Sequence, residues 1–263
     1  MGKDPSITSR DNPLVRRLKS LAESGRDRRE ARMALLDGVH LIDSYLQAGG
    51  QPTTLLRAES CPDEVWMPLA GRCQLAKHVS LTDNLFRELS PVETPVGVMA
   101  EVAWSNPKPG KGIPFVLLLE DIQDPGNLGS LLRSAAAANA SFAVLSKGCT
   151  DAWSPKALRG GQGAQFVLPM EQRVDLLDWI KANQDVSVVA LALVDSVSLY
   201  QLDLVGPTGI LVGNEGAGLS QPVLSAAQHR ARIPMPGKAE SLNVGAAAAI
   251  ALFEVVRQRF LSS

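Results

Sequence analysis

From Phe115 to the C-terminus, short apolar runs alternate with helical segments, and this alternation restricts the fold more than any other feature. Every residue from Phe115 to Leu119 is apolar, which is typical of a parallel strand covered by helices on both faces. Further strands are predicted at 142–145, 166–168, 186–193, 209–212 and 232–233, and helices at 127–139, 174–182 and 242–260. Strands that alternate with helices in this way predict an α/β domain built on a parallel sheet.

The first hundred or so residues predict a separate, smaller α/β region. Apolar residues recur every three or four positions from Leu14 to Leu21, which indicates an amphipathic helix with basic residues on another face. Further short elements are predicted at 34–36, 39–47, 54–56, 65–67, 82–89 and 96–102. Residues 105–112 then contain two prolines, two glycines and two lysines. Such a composition favours a linker, and we therefore predict a first domain at 1–104, a linker at 105–113 and a second domain at 114–263.

The charge is distributed unevenly along a chain that is close to neutral. The net charge is −1, whereas many nucleic-acid-binding proteins are basic overall. Between Arg10 and Arg32, however, eight basic residues stand against four acidic ones. Such a local excess suits contacts with RNA phosphates, although a solvated helix face of mixed charge would give the same pattern. The candidate RNA-binding residues are Arg16, Arg17, Lys19, Arg28 and Arg29.

The cysteines and histidines argue against a disulfide framework and against a metal site. The three cysteines form no Cys-x-x-Cys pair, and the three histidines lie far apart in the sequence. This sparse set is typical of a reducing compartment, so a cytoplasmic location is expected. No apolar segment approaches the roughly 20 residues of a membrane-spanning helix, and we expect no association with a membrane.

A first motif follows the strand that ends at Leu119. The chain turns at 124–126, and Asn127 is predicted to cap the next helix. Arg133 follows six residues later, and we expect it to project near the same end of the site as Asn127. Taken alone, the motif is equally consistent with a functional site and with an ordinary strand-turn-helix that carries an exposed arginine.

Two further motifs follow later strands. The second is glycine-rich and reads Gly213-Asn214-Glu215-Gly216-Ala217-Gly218. Glycines in such a turn permit positive φ angles and a close approach between backbone and ligand, but the spacing matches neither the dinucleotide fingerprint nor the P-loop. The third runs from Ile233-Pro234-Met235 to Ser241-Leu242-Asn243. It precedes Gly245 and four alanines, which favour either close helix packing or simple helix propensity.

Together, in this order and spacing, the three motifs resemble those of the SpoU branch of the SPOUT methyltransferases. The resemblance extends from Phe115 to about Arg259. The N-terminal region is similar, more loosely, to the ribosomal-protein-like substrate-binding domain of many members, through the segment 36–42, in which Asp37 takes the acidic position. The resemblance implies a parallel-sheet domain with a deep trefoil knot near its C-terminus, and a homodimer.

The resemblance also implies a cofactor and a set of functional residues. The cofactor is S-adenosylmethionine, and a pocket for it is expected to be lined by Gly213, Ile233, Leu242, Leu191 and Met235, with the loop after strand 186–193 as a cover. Arg133 is expected to position an RNA phosphate and a ribose hydroxyl, and Asn127 to support that geometry. Glu215 and Asn243 are expected to hold the loops and Arg133 in place. Ser241 is expected to donate a hydrogen bond beside the substrate.

The predicted function is methylation of a ribose 2′-hydroxyl, with ribosomal RNA favoured over tRNA. A tRNA 2′-O-methyltransferase and a resistance-type rRNA methyltransferase of the same branch remain as alternatives. A third alternative is a non-catalytic RNA-binding or ribosome-assembly factor, which a missing Arg133 or Asn127 would have favoured. An unrelated nucleotide-binding α/β enzyme would require one of the phosphate-binding fingerprints that the glycine-rich segment lacks.

Overall fold

The computed structural model describes residues 6–104, 107–108, 114–238 and 240–262. Most of the predicted linker at 105–113 lies outside these residues. By its internal contacts the chain divides into two compact units, each built from two stretches of sequence. Unit 1 comprises Met1–Ser105 and Asp151–Phe166, and unit 2 comprises Asn106–Thr150 and Val167–Ser263.

The helices and strands of the described residues are numbered in chain order. The helices are α1 (Pro13–Glu23), α2 (Gly25–Ala31), α3 (Val39–Gln47), α4 (Asp63–Arg72), α5 (Asp83–Leu89), α6 (Pro125–Ala137), α7 (Pro155–Gly161), α8 (Ala164–Val167), α9 (Leu176–Ala182), α10 (Gln221–Ala226) and α11 (Val244–Leu261). The strands are β1 (Met33–Asp37), β2 (Thr54–Ala58), β3 (Lys77–Leu81), β4 (Val98–Ala103), β5 (Phe115–Leu119), β6 (Phe142–Ser146), β7 (Met170–Val174), β8 (Ser187–Leu191), β9 (Val197–Ser198), β10 (Thr208–Val212) and β11 (His229–Arg232). No helix in this described part has the length and apolar character needed to cross a membrane.

Unit 1 is built on a four-stranded sheet in the order β1-β4-β2-β3. Strand β4 pairs antiparallel with β1 and β2, whereas β2 and β3 are parallel. Helix α1 forms as predicted: its apolar stripe of Val15, Leu18 and Leu21 is buried, and the side chain of Asn12 caps its start. Strand β3 was not predicted from the sequence, because its polar Lys77 and His78 interrupt the apolar pattern.

The segment Asp151–Phe166 contributes to the core of unit 1, although the sequence alone placed it in the second domain. Trp153 is only 2% exposed, and its ring stacks on that of Trp104 with the centroids 5.1 Å apart. Phe166 meets Tyr45 edge to face at 5.2 Å. Large buried aromatic rings stabilise a core strongly, so this segment is an integral part of the unit.

Unit 2 is built on a seven-stranded sheet in the order β7-β6-β5-β10-β8-β11-β9. Every strand pair in it is parallel, which confirms the predicted sheet type. Leu176, Ile180 and Val223, which lie on α9 and α10, pack on one face of this sheet. Helix α11 packs against α6 and β10. In open sheets of parallel strands, ligands bind beyond the carboxyl ends of the strands.

The strand predicted at 166–168 is wrong. Residues 164–167 form the short helix α8, and the strand follows at Met170–Val174. Phe166 and Leu168 are both buried, as expected for a strand. A short buried apolar run has the same composition in a helix and in a strand, so periodicity alone does not separate the two.

Candidate functional site

A cavity of about 430 Å³ lies in unit 2, beyond the carboxyl ends of its parallel strands. Its walls come from the loop after β8, the glycine-rich loop after β10, the end of β11 and the residues around the start of α11. Four of the five predicted cofactor-binding residues line it: Leu191, Ile233, Met235 and Leu242. The loop predicted to cover the pocket contributes residues 192–194 to the wall.

Gly213 does not line the cavity, but it shapes the loop that does. A Cβ atom at this position would lie 2.5 Å from the carbonyl carbon and oxygen of Gly218. Asn214 exchanges backbone hydrogen bonds with Gly218 at 3.1 and 3.0 Å, and its Oδ1 accepts the N–H groups of Gly216 and Ala217 at 2.9 Å. The missing side chain of Gly213 therefore allows the loop to close tightly on itself.

Two side-chain hydrogen bonds join this glycine-rich loop to the first motif. The Nδ2 group of Asn127 donates to Oε1 of Glu215 at 3.0 Å. The Nδ2 group of Asn214 donates to the backbone carbonyl of Asp121 at 2.9 Å. The structure thus brings together two predicted catalytic residues, Asn127 and Glu215, in one direct contact.

A third connection between the two motifs was not predicted from the sequence. The carboxylate of Glu120 accepts the backbone N–H of Ser220 at 2.8 Å and its hydroxyl at 2.6 Å. Glu120 is only 8% exposed, and hydrogen bonds to a charged acceptor are stronger than neutral ones. Its carboxylate therefore holds the end of the loop whose residues 216–219 wall the cavity. The sequence signal was an acidic residue placed directly after an all-apolar strand.

The predicted helix cap at Asn127 is wrong. Helix α6 starts at Pro125, and the side chain of Asp124 caps it by accepting the N–H of Asn127 at 2.8 Å. Proline suits the first helical position because its missing N–H group would have no partner there. Asn127 instead lies in the first turn, where its amide is free to reach Glu215.

Arg133 lies on α6 but not on the same side as Asn127. Six residues of an α-helix correspond to a rotation of about 240°, so the two side chains leave the helix in different directions. Arg133 is exposed, and its side chain makes no hydrogen bond or ion pair within the described residues. The expectation that Glu215 and Asn243 hold Arg133 in place is therefore not met among the described residues.

Asn243 instead caps α11. Its Oδ1 accepts the N–H groups of Gly245 at 2.9 Å and Ala246 at 3.4 Å. Gly245 is buried, and a Cβ atom there would lie 3.2 Å from the hydroxyl of Ser130 on α6. The glycine therefore favours a close approach of α11 to α6. Ser241, the last predicted catalytic residue, is exposed and lines the cavity.

Arg232 is a cation in the cavity lining that the sequence analysis missed. Its guanidinium donates a hydrogen bond to the carbonyl of Ser196, in the loop that follows β8. Arg232 is exposed and directly precedes the apolar Ile233. Within the described residues, no three His, Cys, Asp or Glu side chains are grouped as a metal ion would require.

The five candidate RNA-binding residues of unit 1 have different environments. Arg16 donates two hydrogen bonds to the carbonyl of Asp11, Arg17 pairs with the buried Glu101, and Lys19 lies 3.9 Å from Glu23. Arg28 is buried and pairs with Asp151, so its guanidinium does not face solvent as an RNA contact would require. Arg29 is exposed and has no side-chain hydrogen bond or ion pair in the described part of the chain.

Comparison with known proteins gives matches over both regions of the chain. Residues 114–253 match the family model of the SpoU rRNA Methylase family, and residues 12–100 match that of the MRM3-like substrate binding domain. The chain is 32% identical to an uncharacterized tRNA/rRNA methyltransferase of Synechocystis, with 98% of this chain and 96% of that protein covered. It is 31% identical to the 23S rRNA (guanosine(2553)-2′-O)-methyltransferase of Bacillus subtilis, with 95% and 98% covered.

A solved structure is similar over nearly the whole chain. The SpoU methyltransferase AviRb from Streptomyces viridochromogenes, in complex with the cofactor AdoMet, superimposes with a TM-score of 0.85 at 28% identity. The similarity covers 95% of this chain and 98% of that one.

Proposed function

The chain belongs to the SpoU rRNA methylase family, and we propose that it transfers a methyl group from S-adenosylmethionine to a ribose 2′-hydroxyl of ribosomal RNA. The observation that carries this proposal is the cavity in unit 2. Its walls combine the glycine-rich loop after β10 with the segments that begin at Ile233 and Ser241. The motif that contains Asn127 is joined to the same loop by direct hydrogen bonds.

The cavity suits S-adenosylmethionine in size and character. Its volume of about 430 Å³ lies within the range of roughly 300–1,000 Å³ typical of small-molecule sites. Most of its lining is apolar, as such sites usually are, and Gly216 and Gly218 have no side chain to keep a ligand away from the backbone. Leu191, Ile233 and Leu242 would hold the cofactor, which supplies a methyl group already activated on a sulfonium. The AdoMet complex of AviRb supports this assignment.

The protein's own task is to align a weak nucleophile and to assist removal of its proton. We assign the alignment to Arg133, because its guanidinium is exposed and makes no side-chain hydrogen bond or ion pair within the described residues. A guanidinium binds phosphate through several donors at once, so Arg133 would hold an RNA phosphate and bring the neighbouring 2′-hydroxyl into line. Ser241, at the cavity wall, would donate a hydrogen bond to the same substrate.

The pair formed by Asn127 and Glu215 would keep the two loops in register while RNA binds. Asn243 would act indirectly, by fixing the start of α11 beside the cavity. The deep trefoil knot implied by the family resemblance belongs to this proposal as well. The knot would restrain the cavity-forming loops through the path of the chain, in addition to the restraint from these hydrogen bonds.

Ribosomal RNA is the favoured substrate over tRNA. The relative from Bacillus subtilis, which this chain matches over nearly its whole length, is named for methylation of 23S rRNA. The match of residues 12–100 to a substrate-binding domain supports recognition of a structured RNA by unit 1. The three free cysteines suit the reducing cytoplasm, where ribosomal RNA is found.

A homodimer is the oligomeric state that the surface of α11 favours. This helix carries an exposed or partly exposed apolar stripe at helical spacing, formed by Ala246, Ile250, Phe253 and Phe260. Phe253 is 48% exposed and Phe260 is 81% exposed. Large exposed apolar patches mark association surfaces, and a second copy of the chain would cover this one. Light scattering at micromolar concentration is expected to give the mass of a dimer, and the mass of a monomer would contradict the proposal.

The proposed function is tested with S-adenosylmethionine labelled with tritium in its methyl group. Total RNA from a strain that lacks the protein serves as substrate, and ribosomal RNA is separated from tRNA after the reaction. Label in a 2′-O-methylribose of ribosomal RNA is the expected result. Label confined to tRNA would overturn the proposed substrate. Absence of label from both RNA fractions and from ribosomal particles, with cofactor binding intact, would favour a non-catalytic binding factor.

A further inference from the structure

The basic residues of unit 1 fall into two groups when their partners are compared. On and around α1, Arg10 pairs with Glu88, Arg17 with Glu101 and Lys19 with Glu23. A cation that already has a carboxylate partner gains less from an RNA phosphate, because the existing pair must be broken or shared. The charge run at 10–32 is therefore a poor guide to the phosphate-binding surface, and the basic residues without such partners are better candidates.

Four arginines of unit 1 are exposed and have no side-chain hydrogen bond or ion pair within the described residues: Arg29, Arg32, Arg87 and Arg159. Arg87 lies apart from the other three, on α5, which packs against α1 and β2. Arg29 lies on α2, Arg32 is the residue that ends α2, and Arg159 lies on α7. Although α2 and α7 are more than a hundred residues apart in the sequence, both pack against β1. Arg29, Arg32 and Arg159 therefore lie around one strand, although they come from two distant stretches of the sequence.

A buried ion pair joins α2 to the segment that leads into α7. The Nε group of Arg28 donates to Oδ2 of Asp151 at 2.7 Å, with side chains only 5% and 10% exposed. The Nη1 group of Arg28 also donates to the carbonyls of Leu21 and Ala22 at 2.6 and 3.1 Å. A guanidinium with this many partners is held in one geometry, so the two helices form a rigid base for the exposed arginines around them.

The positions of Arg29 and Arg159 fit this arrangement. A Cβ atom at Gly25 would lie 3.1 Å from Nη1 of Arg29 and 3.2 Å from Oδ2 of Asp151, so the Arg29 guanidinium lies beside the buried pair. Arg159 is near the opposite end of β1, close to Asp37. Burial raises the pKa of Asp37, while a hydrogen bond from Ser90 and the charge of Arg159 act in the opposite direction.

Basic residues outnumber acidic ones in the two segments that carry these arginines. Residues 25–32 and 151–166 together contain six basic and three acidic residues. The acidic residues are already engaged: Asp27 accepts from Ser20, Glu30 pairs with Arg26, and Asp151 pairs with Arg28. Arg29, Arg32 and Arg159 are exposed without an ion pair, and such cations match the repeated charges of a nucleic-acid backbone.

We propose that α2 and α7 together form the face of unit 1 that binds RNA phosphates, with Arg29, Arg32 and Arg159 as its contacts. This inference rests on the proposed function and assigns the substrate-binding surface within it. It replaces the α1 residues predicted from the charge run, and it gives the segment Asp151–Phe166 a role in binding as well as in folding. Phosphate contacts position an RNA without reading its sequence, so this face would set the orientation of the substrate.

The test is a triple variant that removes the three proposed phosphate contacts: Arg29→Gln, Arg32→Asn and Arg159→Gln. Asparagine is chosen at position 32 because that residue has a φ of 52°, and asparagine tolerates this left-handed conformation. Binding to total ribosomal RNA is measured by filter retention over a range of salt concentrations. We expect affinity at moderate salt to fall at least tenfold. The slope of log K against log salt should fall by about 2 to 3, since each lost phosphate contact contributes about 0.7 to 0.9.

The control variant removes three exposed cations of unit 1 that carboxylates already pair and that lie outside α2 and α7: Arg10→Gln, Lys19→Gln and Arg72→Gln. It loses the same net charge, and we expect its RNA affinity to stay within about threefold of the wild type. Equal losses in both variants would show that total charge alone matters and would overturn the proposal. Unchanged binding by the first variant would overturn it too, and would point to an acidic protein partner for this face.

Methyl transfer separates this inference from the proposed function. The first variant should raise the KM for ribosomal RNA at least tenfold, with kcat at saturating RNA and the Kd for S-adenosylmethionine within about twofold of the wild type. A parallel loss of cofactor binding would indicate misfolding and contradict a purely electrostatic role. A wild-type protein that binds the cofactor but neither binds nor methylates ribosomal RNA would overturn the proposed function itself.

Discussion

The two units use polar and charged side chains in different ways. In unit 2, the polar residues of the motifs join loops to one another: Asn127 with Glu215, and Glu120 with Ser220. In unit 1, residues of one type in one charge run are split between the interior and the surface, as Arg28 and Arg29 show. Polar motif residues that directly follow strands therefore predicted the position of a site. A run of charged residues, in contrast, did not predict which of its side chains face solvent.

The largest expected effect concerns a charged motif residue of unit 2 whose side chain has no hydrogen-bond or ion-pair partner among the described residues. Arg133→Ala should lower methyl transfer by about 10² to 10⁴-fold, the range typical of a lost group that positions or assists proton transfer. The Kd for S-adenosylmethionine should change by no more than a few-fold, because Arg133 does not line the cavity. Single-turnover transfer and calorimetric cofactor binding measure the two effects. Near-wild-type turnover would remove Arg133 from the mechanism.

In unit 1, the corresponding test asks whether Arg28 belongs to the interior. Arg28→Ala would leave the carboxylate of Asp151 buried without its partner, and breaking such a buried pair costs about 3–5 kcal/mol. Denaturant unfolding should show this loss in the free energy of unfolding. The matched control is Arg26→Ala, which breaks the exposed pair with Glu30 and should cost less than about 1 kcal/mol. Similar costs for the two variants would mean that Arg28 is not a core residue.

A glycine substitution tests whether loop shape in unit 2 matters as much as the residues that line the cavity. Gly213→Ala places a Cβ atom against the backbone of Gly218, and overpacking of this kind costs about 1–3 kcal/mol. We expect the affinity for S-adenosylmethionine to fall roughly 5- to 100-fold, as measured by calorimetry. Gly206→Ala is the control, since nothing lies within 4 Å of a Cβ atom there. An unchanged Kd for Gly213→Ala would show that the loop adapts freely.

The smallest expected effect concerns the carboxylate that sequence reasoning missed. Glu120→Gln keeps the shape of the side chain but weakens its two hydrogen bonds to Ser220, at a cost of about 1 kcal/mol. Cofactor affinity should fall roughly fivefold in a calorimetric titration. Glu254→Gln is the matched control, because Glu254 is also buried and hydrogen-bonded, but its partners are Arg257 and Gln258 on its own helix and not a loop of the cavity wall. If both variants reduced cofactor affinity equally, Glu120 would have no specific role in holding the loop.

Much of unit 2 was predictable because its signals are local. A run of apolar residues such as Phe115–Leu119 indicates a strand covered on both faces, and the structure has that strand with the predicted bounds. The loops of the second and third motifs follow strands directly, so the parallel sheet type also predicts that they meet at one edge. The error at Asn127 is local too: Asp124, Asn127 and the intervening turn residues all favour a helix start, and the sequence did not show which one caps it.

The features that sequence did not reveal depend on contacts between distant residues. The partner of Arg28 is 123 positions away, and the stacking partner of Trp153 lies in a different part of the chain, at Trp104. Hydrophobic periodicity describes which face of an element is buried, but it carries no information about what buries it. The assignment of Asp151–Phe166 to unit 1 is therefore a result that only the structure provides.

That segment has a consequence for how the protein is made. A domain at the start of a chain can usually fold while the rest is still being synthesised. Here unit 1 lacks the indole of Trp153, the aromatic ring of Phe166 and the counter-ion of Arg28 until the ribosome has translated far into the methylase sequence. The core of unit 1 would therefore stay incompletely packed until about sixty further residues have been translated. For the same reason, a graft of residues 1–104 onto another enzyme would transfer an unfinished core.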